Sequence, residues 1–436
     1  MGYRWNGLLQ RWRFVAGVGL ALALTTGCGQ PTSQGEGQTS QEQGTTQEVE
    51  FWTMQLQPDF TDYFNELIAD FEADNPDTTV RWVDVPWGDM QSKILTSVSA
   101  GTAPDVVNLN PDFASQLASR NAWLSLGDRV SDADQQVYLP KIWQANTLND
   151  ESFGLPWYLT TSVTIYNQDL LEQSQVEAPP KTFEELAAVA QKVKDATGKY
   201  AFFITFVADD AADILQSLVK MDVVLVDEAG KAAFNTPEGK AAFQYWVDLY
   251  QNELIPRDVL TQGHRRGVEL YQAGEIAMVS SSPHFLDAIA KNAPSIAAVS
   301  ATSPQITGQT GAMNVAAMNV VIPKSTDVPE AALDFALYVT NDANQLSFSK
   351  AANVLPSTQT ALTDDYFTAE VDNATPGDKA RLVSAGQMTQ AEVLVPAMED
   401  VKQLQKIIYE NLQAAMLGQK TVDDALTDAE QAWNQR

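Results

Sequence analysis

The sequence predicts an α/β protein of two lobes, each a mainly parallel sheet flanked by helices. Three observations predict it. The chain has 436 residues, enough for two or three domains with buried cores. From Val49 to Asn110, strand and helix patterns alternate as β-α-β-α-β, which implies parallel strands joined by right-handed crossovers. A second block from Thr182 repeats that alternation, and no long low-complexity linker interrupts the chain after residue 50. Short crossings should therefore join the lobes.

Each element follows from residue spacing. Residues 49–54 (VEFWTM) are strand-like. Phe60, Phe64, Leu67, Ile68 and Phe71 then recur at helical spacing, with Pro58 and Asp59 ahead of them and Asn75-Pro76 ending the run. Residues 79–85 (TVRWVDV) alternate as a strand. Met90, Ile94 and Val98 mark a helix closed by Gly101, and residues 105–110 (DVVNLN) are a third strand. In the second block, Thr182 and Glu185 have capping-box spacing at the start of an amphipathic helix reaching about Ala196. Residues 200–205 (YAFFIT) form a short apolar strand. Thr236-Pro237 supplies an N-cap and a first-turn proline for a helix through Tyr250. Residues 276–280 and 319–322 read as further strands, and Thr421 caps a final helix.

The first fifty residues have a different character. Residues 1–13 carry Arg4, Arg11 and Arg13 and no acid, and residues 14–24 (FVAGVGLALAL) are uninterruptedly apolar. A membrane span needs roughly 20 such residues, so this shorter run reads as the core of a signal peptide. Thr25-Thr26-Gly27-Cys28 follows, and Cys28 is the only cysteine of the chain. This resembles a bacterial lipoprotein processing site, with Thr25 where leucine is usual, and the resemblance implies lipidation of Cys28. Residues 29–48 are rich in Gln, Ser, Thr and Gly and lack an apolar anchor, so they are expected to be a flexible tether with a reach of roughly 25 Å. The expectation is an exported body, periplasmic or cell-surface, lipid-anchored to a bacterial membrane through Cys28.

Composition narrows the function. Hydrophobic residues make up 44% of the chain, which is globular, but 56 Asp+Glu against 27 Lys+Arg give a formal charge of −29. Such a surface repels phosphate backbones, so no nucleic-acid partner is expected. One cysteine and two histidines exclude an intrachain disulfide and a Cys/His zinc site. A Ser-His-Asp hydrolase would depend on His264 or His284. No P-loop run is present, so any ATPase must be a separate protein. No metal and no cofactor are expected.

In open α/β sheets, ligands bind beyond the carboxyl ends of the strands. That rule selects Gln55 and Gln57 after the first strand, Trp87 and Gly88 after the second, and Asn110 and Asp112 after the third. In the second lobe it selects Asp209 and Asp210, then Ser281, Ser282 and His284. These are amides, carboxylates, hydroxyls and an indole, almost without cations. Such a set suits a neutral polyhydroxylated ligand, whose hydroxyls bond to Asp, Asn and Gln while its C–H faces pack on Trp. Trp52, Trp82, Trp123 and Trp246 lie inside element patterns and are expected in the core. Trp87 and Trp157, beside Gly or Pro at strand ends, are expected to face ligand.

Six motifs in order resemble the extracellular solute-binding proteins of bacterial ABC importers, in the class that includes maltose-binding protein. Gly101-Thr102-Ala103-Pro104-Asp105-Val106 resembles the family's lead into its third strand. Gly154-Leu155-Pro156-Trp157-Tyr158 with Ile165-Tyr166-Asn167 resembles the crossing segment. Pro180-Lys181-Thr182-Phe183-Glu184-Glu185-Leu186, Gly274-Glu275-Ile276-Ala277-Met278, Leu355-Pro356-Ser357 and Gly418 with Ala425-Leu426 complete the set. The resemblance implies the two-lobed periplasmic-binding-protein fold with multiple interlobe crossings. It implies lobes of residues 49–158 plus 311–350 and of 159–310 plus 351–436. It also implies ligand contacts from Trp87, Asn110 and Asp112, from Trp157, Tyr158 and Thr160 of the crossing, from Ser282 and His284, and from Met313 and Asn314 of the return.

The function this implies is a receptor, not an enzyme. A monomer would capture a sugar, oligosaccharide or glycosylated polyol and deliver it to ABC permease subunits in the membrane, served by a separate ATPase. Two rivals stay open. A glycerol-phosphate-type ligand is suggested by His264-Arg265-Arg266 near a helix start, where cations oppose the macrodipole. An exported glycoside hydrolase would need a carboxylate pair such as Asp112 and Asp209.

Overall fold

The structure, a computed structural model, describes residues 46–395, 398 and 400–436. The proposed signal segment 1–28 with Cys28, and the tether up to residue 45, lie outside the described residues. Among the described residues, no helix is long and apolar enough to cross a membrane.

The first lobe opens with β1 (Gln47–Met54), α1 (Thr61–Asp74), β2 (Thr78–Val85), α2 (Trp87–Ala100), β3 (Val106–Leu109) and α3 (Pro111–Ala118). β1 pairs in parallel with β2 and with β3, as the alternation implies. α1 buries Phe64, Leu67, Ile68 and Phe71, the stripe that its spacing predicts. α2 ends where Gly101 takes a left-handed backbone (φ 68°), a conformation that strains side chains with a Cβ.

The chain then runs through β4 (Leu155–Thr160), β5 (Val163–Asn167), α4 (Phe183–Thr197), β6 (Tyr200–Phe203), α5 (Asp213–Lys220), α6 (Pro237–Gln251), α7 (His264–Gln272), β7 (Ile276–Ser281) and β8 (Ser300–Ser303). It continues with β9 (Met313–Asn314), β10 (Ala316–Val321), α8 (Pro329–Val339), α9 (Asp342–Ala352), β11 (Leu355–Pro356), α10 (Pro376–Gly386), β12 (Ala391–Glu392), α11 (Val401–Met416) and α12 (Val422–Asn434).

Two sheets result. The first has the order β11-β4-β10-β3-β1-β2 and the second β8-β5-β7-β6. β10 is antiparallel to both β3 and β4, so β4 runs the same way as β1, β2 and β3. In the second sheet β5 is antiparallel to β7 and β8, while β6 is parallel to β7. Each sheet thus has one dominant strand direction, interrupted where the chain passes between lobes. Each also has its own core. Phe51, Phe64, Phe335 and Phe348 anchor the first, and Trp246, Phe243, Tyr409 and Trp433 the second.

The lobe limits differ from the sequence reading. Leu159 and Thr160 still belong to β4, and Leu355–Pro356 pairs with β4 at the edge of the first sheet. The crossings therefore fall at 161–162, at 304–315 and beyond Ser357. The first crossing spans only Thr161-Ser162 between two buried strands, too short a polar break to mark a lobe boundary in the sequence. The Thr182 cap is also only half of a capping box. Thr182 Oγ1 accepts from the Glu185 amide at 3.2 Å, but the Glu185 carboxylate accepts from the Lys181 amide instead.

Candidate ligand-binding site

Strand direction places the site. β4 ends at Thr160 and β5 begins at Val163, so the first crossing leaves the carboxyl edge of the first sheet. β1, β2 and β3 run parallel to β4, and their ends share that edge. In the second sheet β6, β7 and β8 run opposite to β5, so their carboxyl ends return to the same crossing. Both sheets therefore present their carboxyl edges to one cleft.

On the first edge, Asp84 organises the loop after β1. Its carboxylate accepts from the Thr53 hydroxyl at 2.7 Å and from the backbone amides of Leu56 and Gln57 at 2.9 and 3.1 Å. Gln55 takes a left-handed backbone (φ 52°), and its Oε1 accepts from the Trp87 amide at 3.1 Å. Gln55 thereby holds the backbone of Trp87, a residue 46% exposed. Gln57 is exposed beside it. Asn110 caps α3, its Oδ1 accepting from the Phe113 amide at 2.9 Å with Pro111 in the first turn. Asp112 lies 3.3 Å from Lys402 Nζ, which comes from α11 on the second lobe.

On the second edge, Asp209 is exposed, and Asp210 Oδ1 accepts from the His264 amide at 3.1 Å. A Cβ on Gly263 would stand 2.0 Å from the Asp210 carboxylate, so only glycine permits this approach. His264 Nε2 lies 3.3 Å from the Ser281 hydroxyl. Ser282 is half-buried and His284 exposed at the start of the helix Phe285–Asn292.

The crossings are tied by Gln305, which is 5% exposed. Its Nε2 donates to Thr161 Oγ1 at 2.7 Å and to the Asn314 carbonyl at 2.8 Å, while its Oε1 accepts from the Asn314 amide at 3.0 Å. Gln387 holds the same knot by accepting from the Gln305 amide at 2.9 Å and donating to the Ser162 carbonyl at 3.2 Å. Lys220, buried at the end of α5, donates to Gln305 Oε1 at 2.8 Å and to the Ile306 carbonyl at 3.2 Å. Burial lowers its pKa to about 8, with Asp213 pulling the other way. Burial raises the pKa of Asp213 itself, against the opposing charges of His264 and Lys220.

Several expected contacts have other roles. Trp157 is 1% exposed and stacks on Phe348 of α9 at 4.9 Å between ring centroids, so it is a core residue and not a ligand face. Tyr158 is buried against the same ring, and burial pushes its phenol pKa well above the usual range. The reason is that β4 sits between β10 and β11 under α9, so neither of its faces is open. Thr160 is half-buried where β4 reaches the crossing. Met313 is half-buried, and Asn314 spends its backbone on the Gln305 knot and its Oδ1 on the Leu394 amide at 3.3 Å. Arg266 pairs with Asp258 at 2.8 Å and Glu269 at 3.6 Å, and Arg265 with Glu269 at 3.5 Å. These carboxylates offset the cations at the start of α7. Gln305, Gln387 and the Asp213/Lys220 pair escaped the sequence reading. The one signal for the pair was a Lys among apolar positions of the 213–220 stripe.

Two lobes whose sheets point their carboxyl edges at a shared polar cleft define a two-lobed ligand receptor. The chain belongs to the bacterial extracellular solute-binding protein family, whose signature spans residues 57–346. A periplasmic-binding protein from Synechococcus sp. MITs9220 is 42% identical to it, with a TM-score of 0.84 and coverage of 89% of this chain and 98% of that one. The cyclic alpha-maltosyl-1,6-maltose binding protein of Arthrobacter globiformis shares the fold at 23% identity, with a TM-score of 0.77 and coverage of 89% and 98%. In sequence, the mannitol-binding protein of Pseudomonas aeruginosa is 22% identical over 381 residues, covering 83% of this chain and 87% of the relative.

Proposed function

We propose that this receptor captures a neutral sugar, oligosaccharide or glycosylated polyol between its lobes and passes it to an ABC permease driven by a separate ATPase. It is a substrate-binding receptor of the ABC-importer type. The observation that carries the cargo class is Trp87: an aromatic face left 46% exposed at the cleft, among amides and carboxylates rather than cations. An indole of this kind covers the C–H face of a sugar ring while Gln57, Asp209 and Ser282 bond its hydroxyls. The relatives named above bind a cyclic maltosyl sugar and mannitol, and the Synechococcus protein is provisionally assigned to oligosaccharides. Engagement of Arg265 and Arg266 by carboxylates argues against an anionic cargo. The role is binding without turnover, a reading supported by the chain's membership of a family of solute-binding proteins. Ligand touching both lobes would favour the closed form through differential contacts.

The body is held at a membrane by lipid on Cys28, by a monomer acting alone. A Cys28→Ser variant should lose palmitate label and leave the membrane fraction; retention of both would refute the anchor. The cargo is tested by a thermal-shift screen of residues 46–436 against neutral mono-, di- and trisaccharides, glycosylated polyols and glycerol phosphates. A ligand at a hundredfold over its Kd stabilises by about 2.7 kcal/mol, a shift of a few degrees. Stabilisation by neutral glycosides is expected, and stabilisation by phosphates alone would overturn the cargo class.

A further inference from the structure

A cavity of about 80 Å³ lies in the second lobe where its sheet meets α5, at the cleft-facing edge. Trp246 and Phe203 supply its apolar wall, while Ser162, Asp213, Gln216, Lys220 and Ser280 supply its polar one. Among the described residues, the side chains of Asp213, Gln216 and Ser280 make no hydrogen bond to protein. Asp213 is not ion-paired either; Lys220 spends its bonds on Gln305 and Ile306, which leaves one of its three N–H donors unused. A carboxylate, an amide and a spare ammonium proton thus line one small space with the exposed Ser280 at its rim, and the inner groups need partners when water is displaced.

Size decides what that partner can be. A cavity of about 150 Å³ accommodates benzene, and one water occupies about 30 Å³. A whole pyranose ring does not fit in 80 Å³, whereas a two-carbon fragment with two hydroxyls does. Charge decides the rest. The acids Asp213 and Asp210 face the basic groups His264 and Lys220, a near-balanced set that suits a neutral hydroxylated end better than a fully charged one.

We propose that this cavity is the subsite for the acyclic diol end of a glycosylated polyol, with Asp213 accepting from one hydroxyl and Lys220 donating to its neighbour. The inference rests on the receptor reading and narrows its cargo. The sugar ring stays outside, in the cleft between the lobes, and the acyclic end enters beside the crossings. Because Lys220 also holds Gln305, occupancy of the cavity is sensed directly by the segment that joins the lobes.

Calorimetric titration of the wild type with glucosylglycerol, maltitol and lactitol, each beside its cyclic counterpart methyl glucoside, maltose or lactose, tests it. At least one acyclic-ended probe should bind tenfold or more tightly than its counterpart. Asp213→Asn and Gln216→Ala should each erase that preference, and the second variant serves if the first folds poorly. Equal or tighter binding of the cyclic forms, or a preference that survives both variants, overturns the subsite and leaves the receptor intact. If the wild type titrates with none of the six, the subsite falls, whereas the receptor reading stands or falls on the wider thermal-shift screen, so the two failures are told apart.

Discussion

Lys220 Nζ lies 2.8 Å from Gln305 Oε1, so a buried ammonium of the second lobe grips the chain on its way back to the first. Gln305 in turn binds Thr161 and Asn314, one residue on each of two crossings. Replacing Gln305 by Ala strands a buried charge and a backbone amide together. Unsatisfied buried groups cost about 1–3 kcal/mol each, more when charged. The expected loss is about 3 kcal/mol, read from urea unfolding midpoints, and a loss below ~1 kcal/mol would deny Gln305 its central place in the knot.

Lys220 gives stability a pH dependence of defined sign. Its pKa falls from the ordinary 10.5 to about 8 on folding. Between those values the unfolded chain binds a proton that the folded chain does not, so stability rises with pH. The penalty of burying the ammonium is fully present below about pH 8 and is relieved as pH climbs toward 10.5. Relative to Lys220→Met, the wild type should gain on the order of 2 kcal/mol between pH 7.5 and 10. Urea melts of both proteins at the two pH values check this, and parallel profiles would contradict it.

Two tryptophans should behave oppositely. Trp87→Ala removes an exposed ring, so stability should move by no more than about 0.5 kcal/mol. Affinity for the cargo should fall at least tenfold. Trp157→Ala opens a hole against Phe348 and Phe64 and should destabilise by about 3–5 kcal/mol. Melting curves and titrations on the same two variants separate the roles.

The Asp112–Lys402 pair spans the lobes at 3.3 Å, but both side chains are about half exposed. Surface pairs of this kind contribute about 0.2–1 kcal/mol and are screened by salt. Lys402→Ala should therefore shift the unfolding midpoint slightly in low salt and hardly at all in 0.5 M NaCl, where screening is nearly complete.

Local order was legible in the sequence, and long-range partnership was not. The stripe from Phe64 to Phe71, the Thr236-Pro237 helix start and the Gly101 stop all follow from spacing within one turn or one cap. The carboxyl-edge rule needs only strand order and direction, and two residues it selects at the sheet edges, Trp87 and Asp209, are both exposed there. Trp157 misled because flanking Gly and Pro look the same beside a cleft as inside a sheet buried on both faces. Gln305 and Thr161 are 144 residues apart, and nothing in either neighbourhood marks them as partners. That Asp112 pairs with Lys402 could not be read from its neighbourhood, because Lys402 arrives from the far end of the chain. The Asp213/Lys220 pair was hidden for a related reason: charges at one helix's two ends give no sign that a cavity lies between them.

The most direct test of the central claim is calorimetry of the described body with the neutral glycoside that stabilises it most, followed by chromatographic recovery of that glycoside. The expected result is saturable binding of one molecule per chain, weakened by Trp87→Ala and by Asp209→Ala, with the glycoside recovered unchanged. One residue from each lobe would then be contributing to a single site. Binding that neither variant affects, or steady consumption of the glycoside, would contradict a receptor that closes on its cargo.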